Sequence, residues 1–124
     1  MTQTRHPVSF IATTDPEGAK FFYGDILGLQ LVENSPFALV YSDEGQMLRV
    51  QIVSELVPAV HTVHGWKVDD ISAEVALLGA KGVEFLRFEG MAQSEEGIWS
   101  TPGGHKIAWF KDPDGNVLSL TEFI

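Results

Sequence analysis

The sequence predicts an α+β protein made of two copies of one strand–helix–strand–strand–strand unit, and three observations carry that reading. The first is a repeated turn. Asp112-Pro113-Asp114-Gly115-Asn116, with the alternating Val117-Leu118-Ser119-Leu120 behind it, has a fainter copy at Ser42-Asp43-Glu44-Gly45 followed by Gln46-Met47-Leu48-Arg49-Val50. Asp then Gly accepts positive φ, and an apolar alternation of period two marks the strand that follows. The second is a repeated helix start, Asp15 and Asp70. The third is the spacing: Gly45 to Gly115 is an offset of 70 and Asp15 to Asp70 one of 55, so the second copy is longer by 15 residues. Internal repetition constrains a fold more than any single residue does.

Each element has its own signal. Residues 7–13 alternate as a strand, and Asp15-Pro16-Glu17 then supplies an N-cap, a proline at the first helical position and an acid in the first turn. Ala19, Phe22, Tyr23 and Ile26 follow helical spacing, and Gly28 is placed to end the helix. Residues 29–33 and 37–42 read as strands around Asn34-Ser35-Pro36, and residues 47–53 close the first module, residues 5–53. Residues 54–60, with Pro58, form a connector. The second module, residues 61–124, repeats the order. A strand at 62–68 leads to a helix capped by Asp70, with Ile71, Val75, Leu77 and Leu78 as its apolar positions and Gly79 and Gly82 at its end. A strand at 83–88, the surplus at 89–99, a turn at Pro102-Gly103-Gly104 and strands at 105–110 and 117–123 complete one domain across residues 1–124.

Composition narrows the function. With 124 residues the chain is sized for one domain, or two half-domains around a core, and 44% hydrophobic residues is too many for disorder. The absence of cysteine excludes disulfides, thiolate metal sites and a cysteine nucleophile, and it fits a cytoplasmic protein. A formal charge of −9 repels nucleic acid phosphate and suits a cationic ligand. No apolar run approaches the roughly 20 residues of a membrane span, and residues 1–7 lack the apolar core of a signal peptide.

Strand parity sorts the side chains. Leu48, Val50 and Ile52 form an apolar row that should pack under the first helix, while Met47, Arg49, Gln51 and Val53 face the other way. Leu118 and Leu120 match the first row, and Val117, Ser119 and Thr121 the second. Arg49 and Ser119 therefore hold equivalent positions on the face away from the helices. A long cation there invites an anionic or carbonyl-bearing partner, unless a carboxylate of the protein pairs with it.

At this point the chain resembles the vicinal oxygen chelate superfamily of glyoxalase I, bleomycin-resistance proteins, extradiol dioxygenases and fosfomycin-resistance enzymes. Phe21-Phe22-Tyr23-Gly24-Asp25-Ile26-Leu27-Gly28-Leu29 is similar to the family's helix exit, and the Asp112–Asn116 turn and Val68-Asp69-Asp70-Ile71 also look like it. The resemblance implies paired βαβββ modules whose mixed sheet curls into a cup, the glyoxalase-like fold, usually in a homodimer. In the enzymes a divalent metal sits in the cup on ligands from the first and last strands of the modules. Carried over, those positions are Val8, Arg49, Val63 and Ser119. Valine has no lone pair, arginine is a cation and serine is a poor lone ligand, so no metal or other cofactor is expected.

A displaced divalent metal near His6 and His61, two residues before Val8 and Val63, would still need a carboxylate, and the inward row offers only Met47, Arg49, Gln51, Val53 and Thr121. His61 and His64 fall on opposite faces of a strand, and His105 reads as a solvated strand end. Ser119 has no histidine placed beside it and no nucleophile elbow, so no catalytic residue is assigned. The candidate ligand-binding residues are Val8, Phe10, Arg49, Gln51, Val63, Trp99, Ile107, Ser119, Thr121 and, by analogy with the family, Trp109. The surplus at 89–99 is a candidate lid offering Met91 and Trp99, or else a dimer contact or a longer hairpin. Three functions fit: a metal-free small-molecule binder like the bleomycin-resistance proteins; a lyase, isomerase or dioxygenase, either metal-dependent with a displaced site or metal-independent with Arg49 as electrophile; and a scaffold without small-molecule chemistry.

Overall fold

The computed structural model describes residues 3–124. The chain divides into two compact units, Met1–Val57 and Pro58–Ile124. Each holds a four-stranded mixed sheet and one helix in the order βαβββ, so the α+β fold class expected from the repeat is the one observed.

In unit 1, β1 (Val8–Thr13) lies parallel to β4 (Gln46–Ile52), which pairs antiparallel with β3 (Ala38–Asp43), itself paired with the edge strand β2 (Gln30–Asn34). Helix α1 (Pro16–Lys20) begins where expected, with the Asp15 carboxylate accepting from Gly18 N at 3.1 Å. After one turn the chain widens into a π-helical segment, Phe21–Ile26, with Leu27 N donating to Phe22 O at 2.9 Å. Gly28, at φ 76°, ends it. The β3–β4 hairpin closes through two residues with positive φ, Glu44 at 47° and Gly45 at 86°, the geometry that matches strand twist in a two-residue turn.

In unit 2, β5 (Thr62–Lys67) runs parallel to β8 (Val117–Glu122), which pairs antiparallel with β7 (Lys106–Lys111), and β7 with the short β6 (Trp99–Ser100). Helix α2 (Ile71–Ala80) is capped by Asp70, whose carboxylate accepts from Ala73 N at 3.1 Å. The Glu122 carboxylate reaches back to accept from Ile71 N at 2.9 Å. Gly79 lies within α2 rather than ending it; the chain breaks off at Gly82, φ 95°. Ile71, Val75 and Leu78 are buried, but Leu77 is 51% exposed and faces away from the core.

Three departures from expectation have local causes. The strand expected at 83–88 is reduced to one bridge, Phe85 to Phe110, with Leu86 N donating to Trp109 O at 2.8 Å. Beyond it the Gln93 side chain takes over the ladder. Its Oε1 accepts from Phe88 N at 2.8 Å, and its Nε2 donates to Leu86 O at 2.9 Å and Gly97 O at 2.8 Å. A side chain that satisfies both backbone groups removes the need for a partner strand. Second, the turn at 112–116 is a five-residue loop, not a tight turn. The buried Asp112 carboxylate organises it, accepting from Asp114 N at 3.0 Å, Asn116 N at 2.9 Å and Asn116 Nδ2 at 2.8 Å. Third, the β5–β8 register shifts between Thr62 and His64, which puts Val63 in a bulge.

Candidate functional site

The alternation along each strand separates a covered face from an open one. In unit 1 the covered face holds Ile11, Thr13, Leu39, Tyr41, Leu48 and Val50, all buried. The opposite face presents Val8, Phe10 and Met47 at 41%, 55% and 44% exposure. The register lays Phe10, Arg49 and Val40 in one row across β1, β4 and β3, with Ala12, Gln51 and Ala38 in the next. Val8 pairs with Met47 one step the other way. Val8, Phe10, Arg49 and Gln51 thus share the open face of one sheet.

Arg49 is half-buried there. Among the described residues it makes no hydrogen bond and no ion pair. Pairing with a carboxylate, the structural alternative for this side chain, is not found among the described residues. A half-buried guanidinium in that state has five donors to offer to water or to a ligand.

In unit 2 the row across β5, β8 and β7 is Gly65, Ser119 and Trp109, and the next is Lys67, Thr121, Ile107 and, on β6, Trp99. Trp109 therefore shares a face with Ser119, Thr121, Ile107 and Trp99. Its ring lies edge-on to Phe88 at 5.3 Å between centroids and tilted against Trp99 at 6.3 Å. Phe88 completes this aromatic cluster and was not foreseen: it ends the strand expected at 83–88, of which only the Phe85 bridge forms, so alternation gives no guide to where its ring goes. Val63 keeps the parity of Gly65 but sits in the bulge, outside the regular rows. A Cβ on Gly65 would collide with Ser119 Oγ and approach the Ser119 carbonyl oxygen to 3.0 Å, so the glycine leaves the room that Ser119 fills.

The insertion is tied to itself. The Arg87 guanidinium donates to Ser94 O at 2.7 Å and Glu95 O at 2.9 Å, and Ser94 Oγ accepts from Ile98 N at 3.1 Å. Trp99 belongs to β6, paired with Ile107, so it is a strand residue and not a lid tip. Between the insertion and α2 lies a hollow of about 600 Å³ bordered by Val75, Ala76, Phe85, Arg87 and Glu95. His6 and His61 are exposed and precede β1 and β5. His105 is held more firmly than expected of a strand end: Nδ1 accepts from Ile124 N at 3.3 Å and the ring packs on Phe123 at 5.2 Å. Among the described residues no group of three or more His, Asp or Glu is arranged to hold a metal ion. None of their helices is long and apolar enough to cross a membrane.

Known proteins of similar architecture place this arrangement. Crystal structures that superpose on the chain include a member of the glyoxalase/bleomycin resistance protein/dioxygenase superfamily from Sphaerobacter thermophilus, at 20% identity and TM-score 0.75 over 98% of each chain. The lactoylglutathione lyase from Agrobacterium tumefaciens follows at 22% identity and TM-score 0.69, over 97% of this chain and 96% of that one. A glyoxalase family protein from Enterococcus faecalis has 22% identity and TM-score 0.69 over 97% of each chain. At these identities the likeness carries the fold alone. No curated protein sequence matches. The sequence itself matches the family profile over residues 4–120, and the chain belongs to the Glyoxalase/Bleomycin resistance protein/Dioxygenase superfamily.

Proposed function

We propose that this protein binds a small molecule without a metal, on the open face of the unit 1 sheet, through Arg49 with Val8, Phe10 and Gln51. The observation that carries this reading is Arg49 itself, half-buried and without a hydrogen bond or ion pair among the described residues. A ligand with a carboxylate, phosphate or carbonyl oxygen would satisfy the guanidinium, and an aromatic or aliphatic body would cover Phe10 and Val8. In unit 2, Trp99, Ile107, Trp109, Ser119 and Thr121, with Val63 at the strand start, form a second apolar face with two hydroxyls. The donor set at the family's metal positions (Val8, Arg49, Val63, Ser119) suits an ion poorly, which supports a metal-free reading. The protein is taken to act in the cytoplasm as a homodimer, as members of this superfamily often do. The exposed Val8, Phe10 and Met47 offer apolar area for a ligand or a second copy.

The test is metal analysis of the purified protein, then thermal-shift titration with benzoate and phenyl phosphate. Bound ligand at about a hundred times its Kd adds about 2.7 kcal/mol of stability, a rise of several degrees in Tm. That shift should vanish in Arg49→Ala with no metal present. Stoichiometric zinc, iron, nickel or manganese would overturn the reading in favour of a metal-dependent lyase, isomerase or dioxygenase.

A further inference from the structure

Helix α2 carries an apolar side that unit 2 does not use. Ile71, Val75 and Leu78 turn inward, where the helix lies against β7 and β8. On the outer side Ala73, Ala76, Leu77 and Ala80 follow the spacing i, i+3, i+4, i+7, the pattern by which a helix normally buries a face. All four are exposed, Leu77 by 51%. Ser72 and Gly79, exposed beside them, add no charge to interrupt the row. The equivalent helical segment of unit 1 is built differently. It carries Glu17, Lys20 and Asp25, and Glu17 pairs with Lys20 at 3.3 Å. The same repeat thus contains one helix made for water and one with a second packing face.

The row and the charges that border it are complementary to themselves. Glu74, in the first turn, and Lys81, just past the last, stand seven residues apart on the Leu77 flank. Set two such helices antiparallel, with a two-fold axis between Ala76 and Leu77. Ala73 then faces Ala80 of the second copy, and Leu77 lies beside Ala76. Glu74 is offset from Lys81 of the second copy by about 3 Å along the helix, at 1.5 Å per residue, within reach of a lysine. Alanine at the contact lets the two axes approach to about 8 Å. Like flanks meet across such an axis. Closing on the Leu77 flank keeps apart the glutamates of the hollow on the other flank, Glu84, Glu95 and Glu96.

We infer that the outer face of α2 is an interface with a second copy of this chain, the two helices packing antiparallel with Leu77 at the centre. A contact one short helix long is small, so the association is weak and reversible. It lies on the side of the unit 2 sheet away from Trp109 and does not depend on the Arg49 site. It gives the proposed homodimer its surface.

Sedimentation equilibrium of the full chain, from micromolar to submillimolar concentration, should show a reversible dimer. Leu77→Glu should weaken association about tenfold or more and leave the circular dichroism spectrum unchanged, since the side chain is exposed. Glu74→Lys alone should also weaken it, and adding Lys81→Glu should restore it. The chain has no cysteine, so Leu77→Cys should oxidise to a disulfide-linked dimer far faster than Val60→Cys, at an equally solvent-facing position. A monomer at every concentration overturns this interface and the homodimer together. A dimer as tight in Leu77→Glu as in the parent keeps the homodimer and overturns this interface, and so does a charge-swapped pair that associates no better than Glu74→Lys alone. The Arg49 reading is decided separately, by the benzoate titration.

Discussion

Two residues at equivalent places in the repeat show how far one side chain redirects a sheet. In unit 1 the row is Phe10, Arg49 and Val40; in unit 2 it is Gly65, Ser119 and Trp109. Ser119 is nearly enclosed because Gly65 gives it space, while Arg49 stands beside an exposed Phe10 and keeps its charge available. Gly65→Ala should therefore cost about 1–3 kcal/mol, the range for overpacking. Ser119→Gly should restore only part of it, because the Ser119 carbonyl oxygen, 3.0 Å from the added methyl, remains. Urea denaturation of the single and double variants measures both. Parity alone put Arg49 and Ser119 on the faces where they are found, since alternation is a property of the extended chain. The close approach of Gly65 to Ser119 was not legible, because it depends on the register between strands more than fifty residues apart.

Among the elements, caps and turns were the most legible parts. Asp15 and Asp70 both cap helices through their carboxylates, and Gly28 and Gly45 take the positive φ expected of them. These signals are local: the residue and the backbone group it satisfies lie within four positions. The insertion was illegible for the opposite reason. Its form depends on Gln93 and Arg87 reaching backbone groups that no periodicity announces. Gln93→Ala leaves Phe88 N, Leu86 O and Gly97 O without this partner. It should lower stability by about 1–3 kcal/mol, with faster amide hydrogen exchange at Phe88. The same treatment should leave exchange at Val50 slow, since β4 is paired on both sides in unit 1. Equal acceleration at both amides would mean that the loop does not open on its own.

At the scale of the whole molecule, stability at alkaline pH reports on Tyr41, whose side chain is fully buried and whose hydroxyl has no hydrogen-bond partner among the described residues. Folding raises the phenol pKa above 10.0, through burial first and the Asp25 charge second. Below that value both states carry the proton and the contribution is fully present. As pH rises above it the unfolded chain loses its proton first, so stability falls until the folded pKa is passed. Tyr41→Phe should flatten this decline relative to the parent when unfolding free energies are compared from neutral to strongly alkaline pH. Parallel profiles would show that Tyr41 does not contribute. The repeat of two βαβββ units, the helix caps, the Glu44-Gly45 turn and the two faces of each sheet could be read from the amino acids alone, because each follows from backbone geometry and from contacts between near neighbours. The strand that follows α2, found at Trp99–Ser100 and not at 83–88, and the loop form of 112–116 could not. It took the folded chain to show that Arg49 and the Tyr41 hydroxyl have no partner among the described residues, that Gly65 makes way for Ser119 and that Gln93 replaces a strand. Those four facts depend on which distant groups meet, and a one-dimensional pattern carries the side on which a residue lies but not the neighbour it finds there.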